Sequence, residues 1–332
     1  MSSTPKVSVY VPIYNVAPFI ERCARSLFEQ TLEDLEYIFV DDKSPDDSVD
    51  ILLRVLDEYP HRKSQVRLIR HTKNQGISGA RTTAYRAVTG EFVIGCDSDD
   101  WVEPDAYEAM YELARRTGAD MVVADYYVNY ENRESYVSQR GEGTGLDVTK
   151  QLLSGKLHCS VCNKLIKSVI FKDNKLLPEP NVNMWEDVIL SVRCAFFAKK
   201  VVHLSKACYH YNQENAGSYT AAVNYSDRII ANLQKVVSVL ERFFEEQKAL
   251  EIVNEELVLL KLNVKRAFLL HTRGLKRREL QRFYPDTTKY ILRQDTVRLY
   301  YRIALWAANH CMMPLAVFIL TLVNFTKKRW FL

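Results

Sequence analysis

Directly after the apolar run Glu91-Phe92-Val93-Ile94, the chain reads Cys96-Asp97-Ser98-Asp99-Asp100. Carboxylates at alternate positions beyond a strand can converge on one hard divalent cation, which prefers oxygen ligands and can also hold a substrate diphosphate. The plainer alternative is an Asp-rich turn that caps the next helix. Asp41-Asp42 repeats the arrangement after Tyr37-Ile38-Phe39-Val40. An acceptor carboxylate there suits a ribose hydroxyl or the edge of a base, or simply starts a turn.

These residues need a frame. Val7 to Ile13 is a β-branched apolar run closed by Tyr14 and Asn15, and Pro18 to Gln30 carries apolar residues at helical spacing. The unit repeats as strand Glu36 to Val40, helix Ser48 to Tyr59, strand Val66 to Arg70, a loop from His71 to Ser78, helix Gly79 to Val88 and strand Glu91 to Cys96. Strands alternating with short helices predict parallel pairing through right-handed crossovers, hence an α/β fold with an open, doubly wound, mostly parallel sheet. Ligands of such sheets bind beyond the carboxyl ends of the strands, where Tyr14, Asn15, Asp41, Asp42, Asp97 and Asp99 all fall. Further on, the pattern predicts a helix over Pro104 to Thr117, a strand over Met121 to Val128, a polar loop or hairpin over Asn129 to Thr144, a helix over Leu146 to Gly155, a short strand and helix within Val161 to Phe171, and an amphipathic helix over Trp185 to Phe197. Ser226 to Arg278 is mostly helical in pattern, so the chain divides into a domain over 1–221 and a helical, basic region over 222–332.

Four segments resemble the inverting family 2 glycosyltransferases of bacterial cell-surface polysaccharide synthesis, whose nucleotide-sugar-binding fold is the GT-A type. Val9-Tyr10-Val11-Pro12-Ile13-Tyr14-Asn15 resembles the family's opening strand and uridine-binding loop, and Val40-Asp41-Asp42-Lys43-Ser44-Pro45-Asp46 its Val-Asp-Asp-Gly-Ser-x-Asp turn, with Lys43 in place of the usual Gly. Asn74-Gln75-Gly76-Ile77-Ser78-Gly79-Ala80-Arg81 resembles the Asn-x-Gly-x-x-x-Ala-Arg loop and helix start. A helix N-terminus followed by Arg suits a diphosphate through backbone donors and a permanent charge, unless Arg81 is merely a solvated helix residue. Asp97-Ser98-Asp99 is similar to the metal motif, which makes Asp97 a ribose or metal contact and Asp99 the ligand proper of Mg²⁺ or Mn²⁺.

Trp185-Glu186-Asp187 resembles the family's Glu-Asp pair at a helix start. Inverting transfer needs one carboxylate to take the acceptor hydroxyl's proton, and neighbouring helical residues point about 100° apart, so only one of the two can do so. The resemblance assigns that role to Asp187, with Glu186 and Trp185 binding acceptor or supporting the loop; the competing explanation is the ordinary preference of acidic residues for a first helical turn. His210 lies where related enzymes place a residue that touches metal or diphosphate, against the alternative of a packed ring. Lys164 in Cys162-Asn163-Lys164-Leu165 also matches a recurring family segment, without a role that the residues themselves indicate.

The remaining signals concern context. Seven cysteines without regular spacing and an N-terminal MSSTPK with no apolar segment predict reduced thiols in a cytosol, and Cys159 and Cys162 lack the second pair of a zinc site. From Leu257 onward 15 Lys and Arg face 3 Asp and Glu, an excess of +12 against −8 for the rest. A basic end suits nucleic acid or anionic lipid, and the apolar stretch Ile303 to Phe325 inside it favours lipid. Asn309, His310 and Pro314 divide that stretch into two short pieces, flanked by Lys276, Arg277, Arg278 and by Lys327-Lys328-Arg329-Trp330. The expectation is a cytoplasmic enzyme lying on the inner face of the cell membrane, taking a nucleoside-diphosphate sugar and a saccharide or lipid-linked acceptor, with no nucleic acid partner. The tail's alternative is a helix packed on the catalytic domain or on a second copy in a homo-oligomer. Two competing functions are a catalytically silent nucleotide-binding subunit of a membrane polysaccharide assembly and a sugar nucleotidyltransferase. The latter normally shows a Gly-rich phosphate loop where this chain has Pro12-Ile13-Tyr14-Asn15.

Overall fold

The structure, a computed structural model, describes residues 4–215, 227–271, 279–293, 295 and 297–329. The chain opens with β1 (Val7–Ile13), α1 (Ile20–Phe28), β2 (Leu35–Asp41), α2 (Ser48–Glu58), β3 (Val66–Arg70), α3 (Gly76–Ala87) and β4 (Phe92–Gly95). These strands pair in parallel, β2 with β1 and β3, and β1 with β4. Val7, Val9, Val11, Ile13, Ile38, Phe39 and Val40 are all fully buried, as strands covered on both faces must be.

Next come β5 (Trp101–Val102), α4 (Ala106–Thr117), β6 (Met121–Tyr130), β7 (Arg133–Val137), α5 (Gly145–Ser154), β8 (Lys164–Lys167), α6 (Ser168–Asp173), α7 (Glu186–Phe197) and β9 (Val201–Asn212). The sheet order is β3-β2-β1-β4-β8-β6-β9-β5, with β7 on β6 as a hairpin. β8 runs antiparallel to both β4 and β6, and β5 antiparallel to β9, so the sheet is mixed, with a parallel first half. Two strands lie outside the predicted pattern. β5 is two residues long, and β9 has a half-buried first half and a mostly buried second half without the apolar run that marks β1. Nine of its 12 residues pair in parallel with β6, a partner some 80 positions earlier that a local pattern does not reveal.

The chain folds as two compact units, Met1–Leu152 with Leu157–Ala222, and Leu153–Lys156 with Val223–Leu332. The second unit contains α8 (Asp227–Glu246), α9 (Leu250–His271), α10 (Leu299–Asn309) and α11 (Met313–Arg329). The apolar stretch is thus two helices broken at His310–Met312, where Cys311 has φ 61°. Among the described residues no helix is long and apolar enough to cross a membrane. Leu299, Leu315, Phe318 and Leu322 are exposed on these two helices. Lys276, Arg277, Arg278 and Trp330 lie outside the described residues.

Candidate active site

The parallel register aligns the carboxyl ends of β1, β2 and β4, since Ile13 pairs with Asp41 and Tyr10 with Gly95. Three loops therefore share one edge of the sheet. Pro12 is buried in β1, whereas Tyr14 beyond it is 50% exposed. The following loop is tied to the second one: Asp46 accepts the Ala17 N–H at 2.8 Å, and Ser48 Oγ the Val16 N–H at 3.0 Å. Asn15 and Lys43 both have positive φ, 54° and 64°. The left-handed turn after Asp42 thus persists with Lys where the family has Gly, at a local cost of about 1 kcal/mol.

Asp41 and Asp42 have different tasks. Asp41 accepts the Ser44 N–H at 2.8 Å and shapes its own turn. Asp42 is buried and reaches across to the start of α3, where its two oxygens accept the N–H groups of Gln75 and Gly76, each at 2.8 Å. His71 Nδ1 lies 2.7 Å from the same carboxylate, and Asn74 donates to the Asp42 carbonyl. This cap, supplied from another strand, starts the helix at Gly76 rather than at Gly79. Gly76 is required there: its φ is +76°, and a Cβ would approach the Asn183 amide to 2.7 Å. Asn183 in turn accepts from Ser78, linking α3 to the segment before α7. At Gly79 a Cβ would strike Gln75 at 2.5 Å.

The capped helix presents Arg81, which is 5% exposed. Its Nη2 donates to Asp97 at 2.9 Å and its Nη1 to Glu186 at 2.5 Å, while Nε is buried with no partner among the described residues. One guanidinium thereby joins the loop after β4 to the first turn of α7. Trp185 enters that helix with φ 61°, a strained conformation for an aromatic residue, while Asp187 stands half-buried outside the bridge. Burial pushes the Glu186 carboxyl up to about 7 even against Arg81, and burial likewise holds Asp187 above the usual carboxylate range, again opposed by Arg81.

In the Asp-rich loop Ser98 is buried, and Asp100 accepts from the Tyr209 hydroxyl and from the Asn212 N–H, which fastens the loop to β9. Asn215 donates to Asp99 at 2.8 Å. Burial raises the Asp99 carboxyl, and the Asp97 charge adds to that. Two carboxylates that repel one another at a strand end suit a hard cation. Among the described residues no three His, Cys, Asp or Glu side chains converge as a closed metal site, so a cation at Asp97 and Asp99 would need its other oxygens from a substrate and water.

His210 belongs to a different cluster. Successive strand residues face opposite ways, so Tyr209 meets the Asp-rich loop while His210 stacks between Trp101 and Tyr127, with centroids at 4.8 and 4.9 Å. Its Nε2 lies 2.7 Å from Glu103 and its Nδ1 3.2 Å from Asn129. No described contact brings it to Asp97 or Asp99, and a metal role requires exchanging those partners. All seven cysteines are free thiols, including Cys159 and Cys162. Tyr209 and Asn183 have no signal in the local sequence pattern, and Asp100 shows there only as part of the Asp-rich run, because each acts through a partner some 100 positions away.

A family model described as glycosyl transferase family 2 matches residues 8–174. The chain is 32% identical over 238 residues to the uncharacterized glycosyltransferase EpsJ of Bacillus subtilis, spanning 70% of this chain and 67% of that one. Among solved structures, S. aureus TarS 1–349 in complex with UDP-GlcNAc aligns at TM-score 0.70 with 20% identity, over 93% of this chain and 88% of that one. The mannosyltransferase PcManGT of Pyrobaculum calidifontis, in complex with GDP-Man and Mn²⁺, aligns over the same shares at TM-score 0.52 and 18% identity. The fold is therefore that of the GT-A enzymes, and this chain belongs to glycosyl transferase family 2.

Proposed function

We propose that the chain moves a sugar from a nucleoside-diphosphate donor, UDP-linked in the first instance, to an acceptor hydroxyl with inversion, in the synthesis of cell-surface polysaccharide or glycolipid. The observation that carries this reading is the Arg81 bridge between Asp97 and Glu186, which supports a donor at Asp97 and an acceptor at the start of α7 within one site. Pro12, Tyr14, Asn15 and Asp41 border the nucleoside, and Asn74, Asp42 and Gly79 build the helix start that aims Arg81 at the donor. The buried Arg81 Nε is free to donate to a donor oxygen. Asp187 takes the proton of the attacking hydroxyl. As that oxygen bonds to the anomeric carbon, the bond to the diphosphate oxygen breaks and its electron pair leaves with the diphosphate. Mg²⁺ or Mn²⁺ on Asp97 and Asp99, when bound, neutralises that leaving group. The complexes of TarS with UDP-GlcNAc and of PcManGT with GDP-Man and Mn²⁺ support this choice of donor class and cation. In the same reading the basic, apolar tail holds the enzyme on an anionic membrane beside a lipid-linked acceptor.

The test is release of free nucleoside diphosphate from a panel of UDP- and GDP-sugars, with and without chelator. Release from one donor class is expected, lost in excess chelator and restored by Mg²⁺ or Mn²⁺. Release indifferent to chelator removes the cation from the mechanism. Nucleotide binding with no release from any donor favours the catalytically silent subunit.

A further inference from the structure

Lys164 is fully buried, and nothing in the reaction above uses it. An ammonium group withdrawn from water needs acceptors, and this one has three: Nζ donates to the His158 and Ser160 carbonyls, each at 2.6 Å, and to Asn163 Oδ1 at 2.9 Å. Asn163 is itself fixed, donating through Nδ2 to the Ala124 carbonyl of β6 at 2.7 Å. The ammonium therefore gathers residues 158–163 into one rigid loop. The far side of that loop meets α7, where Ser191 Oγ donates to the Cys159 carbonyl at 2.6 Å. Residues 187 and 191 are four apart and share a helix face, so the loop lies along the face that carries Asp187. Asp187 and Lys164 each act electrostatically on the other, and both act on the Cys159 thiol.

We propose that Lys164 is a positioning residue for Asp187: it locks the 158–163 loop against the first turns of α7 and supplies a positive charge behind the carboxylate that receives the acceptor's proton. The charged and titratable groups around Asp187 are Arg81, Asp97, Glu186, Cys159 and Lys164, and those around Lys164 are Asp187, Cys159, Cys162 and His158. Burial brings Lys164 down to about 8, so it is mainly charged at neutral pH. Arg81 is held by Asp97 and Glu186, whereas Lys164 is held by the 158–163 loop that Ser191 ties to α7, so Asp187 has a second cation beside Arg81.

The experiment compares Lys164→Met, Lys164→Arg and Ser191→Ala in full-length protein, by kcat, UDP affinity and the pH dependence of kcat. Lys164→Met should lower kcat by about 10- to 100-fold with UDP affinity within about twofold, and move the acid limb of the profile upward by about half a unit or more. Lys164→Arg should recover most of the rate and return the limb to its wild-type position, because the charge is kept. Ser191→Ala, which loosens the loop and leaves the charge, should lower kcat about 3- to 10-fold without moving the limb. A Lys164→Met enzyme with wild-type kcat, an unmoved limb, or a collapsed UDP affinity overturns the proposal. Should Lys164→Met not fold, wild-type kcat in Ser191→Ala or a shifted limb in Lys164→Arg overturns it instead. The proposal rests on Asp187 as base, and the two fail separately. An active Asp187→Asn enzyme removes the base, whereas an inactive one beside an unperturbed Lys164→Met enzyme removes only the role of Lys164.

Discussion

At the scale of single residues, the proposed function divides the Glu186-Asp187 dipeptide between structure and chemistry. The Glu186 carboxylate is engaged by Arg81, and the helix turn of about 100° carries Asp187 away from that bridge. Asp187→Asn keeps the shape and removes the basicity, so kcat should fall by roughly 10²-fold or more with donor affinity retained. The pH dependence has a definite sign. A base acts only when ionised, and burial raises this carboxyl above its ordinary value. The rate should therefore decline on the acid side through a pKa higher than the usual value of about 3.9 for Asp. Isothermal titration with UDP beside a pH–rate series makes the test: weakened UDP binding with a high residual rate would identify Asp187 as a binding residue.

At the scale of elements, α3 is the part whose position decides the site, because it carries Arg81. Its start is set by Asp42 from the end of β2, not by a capping residue of its own. Asp42→Ala removes the acceptor for two N–H groups at the helix start and should cost about 1–2 kcal/mol of stability, with a loss of rate as Arg81 shifts. Thermal unfolding with parallel UDP titration checks it. Unchanged stability with weakened UDP affinity would mean that Asp42 contacts nucleotide and that the helix start is held by other bonds. The left-handed Lys43 and Trp185 stand at the entrance of the two loops that flank this helix, where strain is tolerated because hydrogen bonds on both sides hold the turn.

At the scale of the whole molecule, charge is segregated along the chain, with +12 after Leu257 against −8 before it. In the proposed membrane association each Lys or Arg near an anionic leaflet would contribute about 1 kcal/mol, and the exposed Leu315, Phe318 and Leu322 of α11 would add apolar contact. Binding to liposomes should rise with anionic lipid content and weaken with salt, since screening shortens the reach of those charges to about a Debye length. Truncation before Tyr300 should leave donor hydrolysis intact and impair transfer to a lipid-linked acceptor. A full-length protein that ignores anionic liposomes and elutes as a dimer dissociated by the truncation would make the tail a subunit interface. Resistance to extraction by high salt and alkali would make it a spanning segment.

The local pattern was enough to determine the first half of the sheet and the whereabouts of its polar residues, because buried parallel strands are continuous apolar runs and their ends are abrupt. It also pointed to α10 and α11 as separate pieces, since Asn309, His310 and Pro314 interrupt the apolar stretch where the helices part at His310–Met312. Tertiary structure alone decided the pairing of β9 with β6, the antiparallel insertion of β8, and the role of each carboxylate. Asp41 and Asp42 look alike in the sequence, yet one shapes its own turn and the other caps a helix more than 30 positions away. Arg81, Asp97 and Glu186, and likewise Lys164 and its loop, acquire their partners only when distant elements meet. A side chain's task depends on which donors and acceptors surround it in space, and spacing along the chain carries that information only within a turn or a strand.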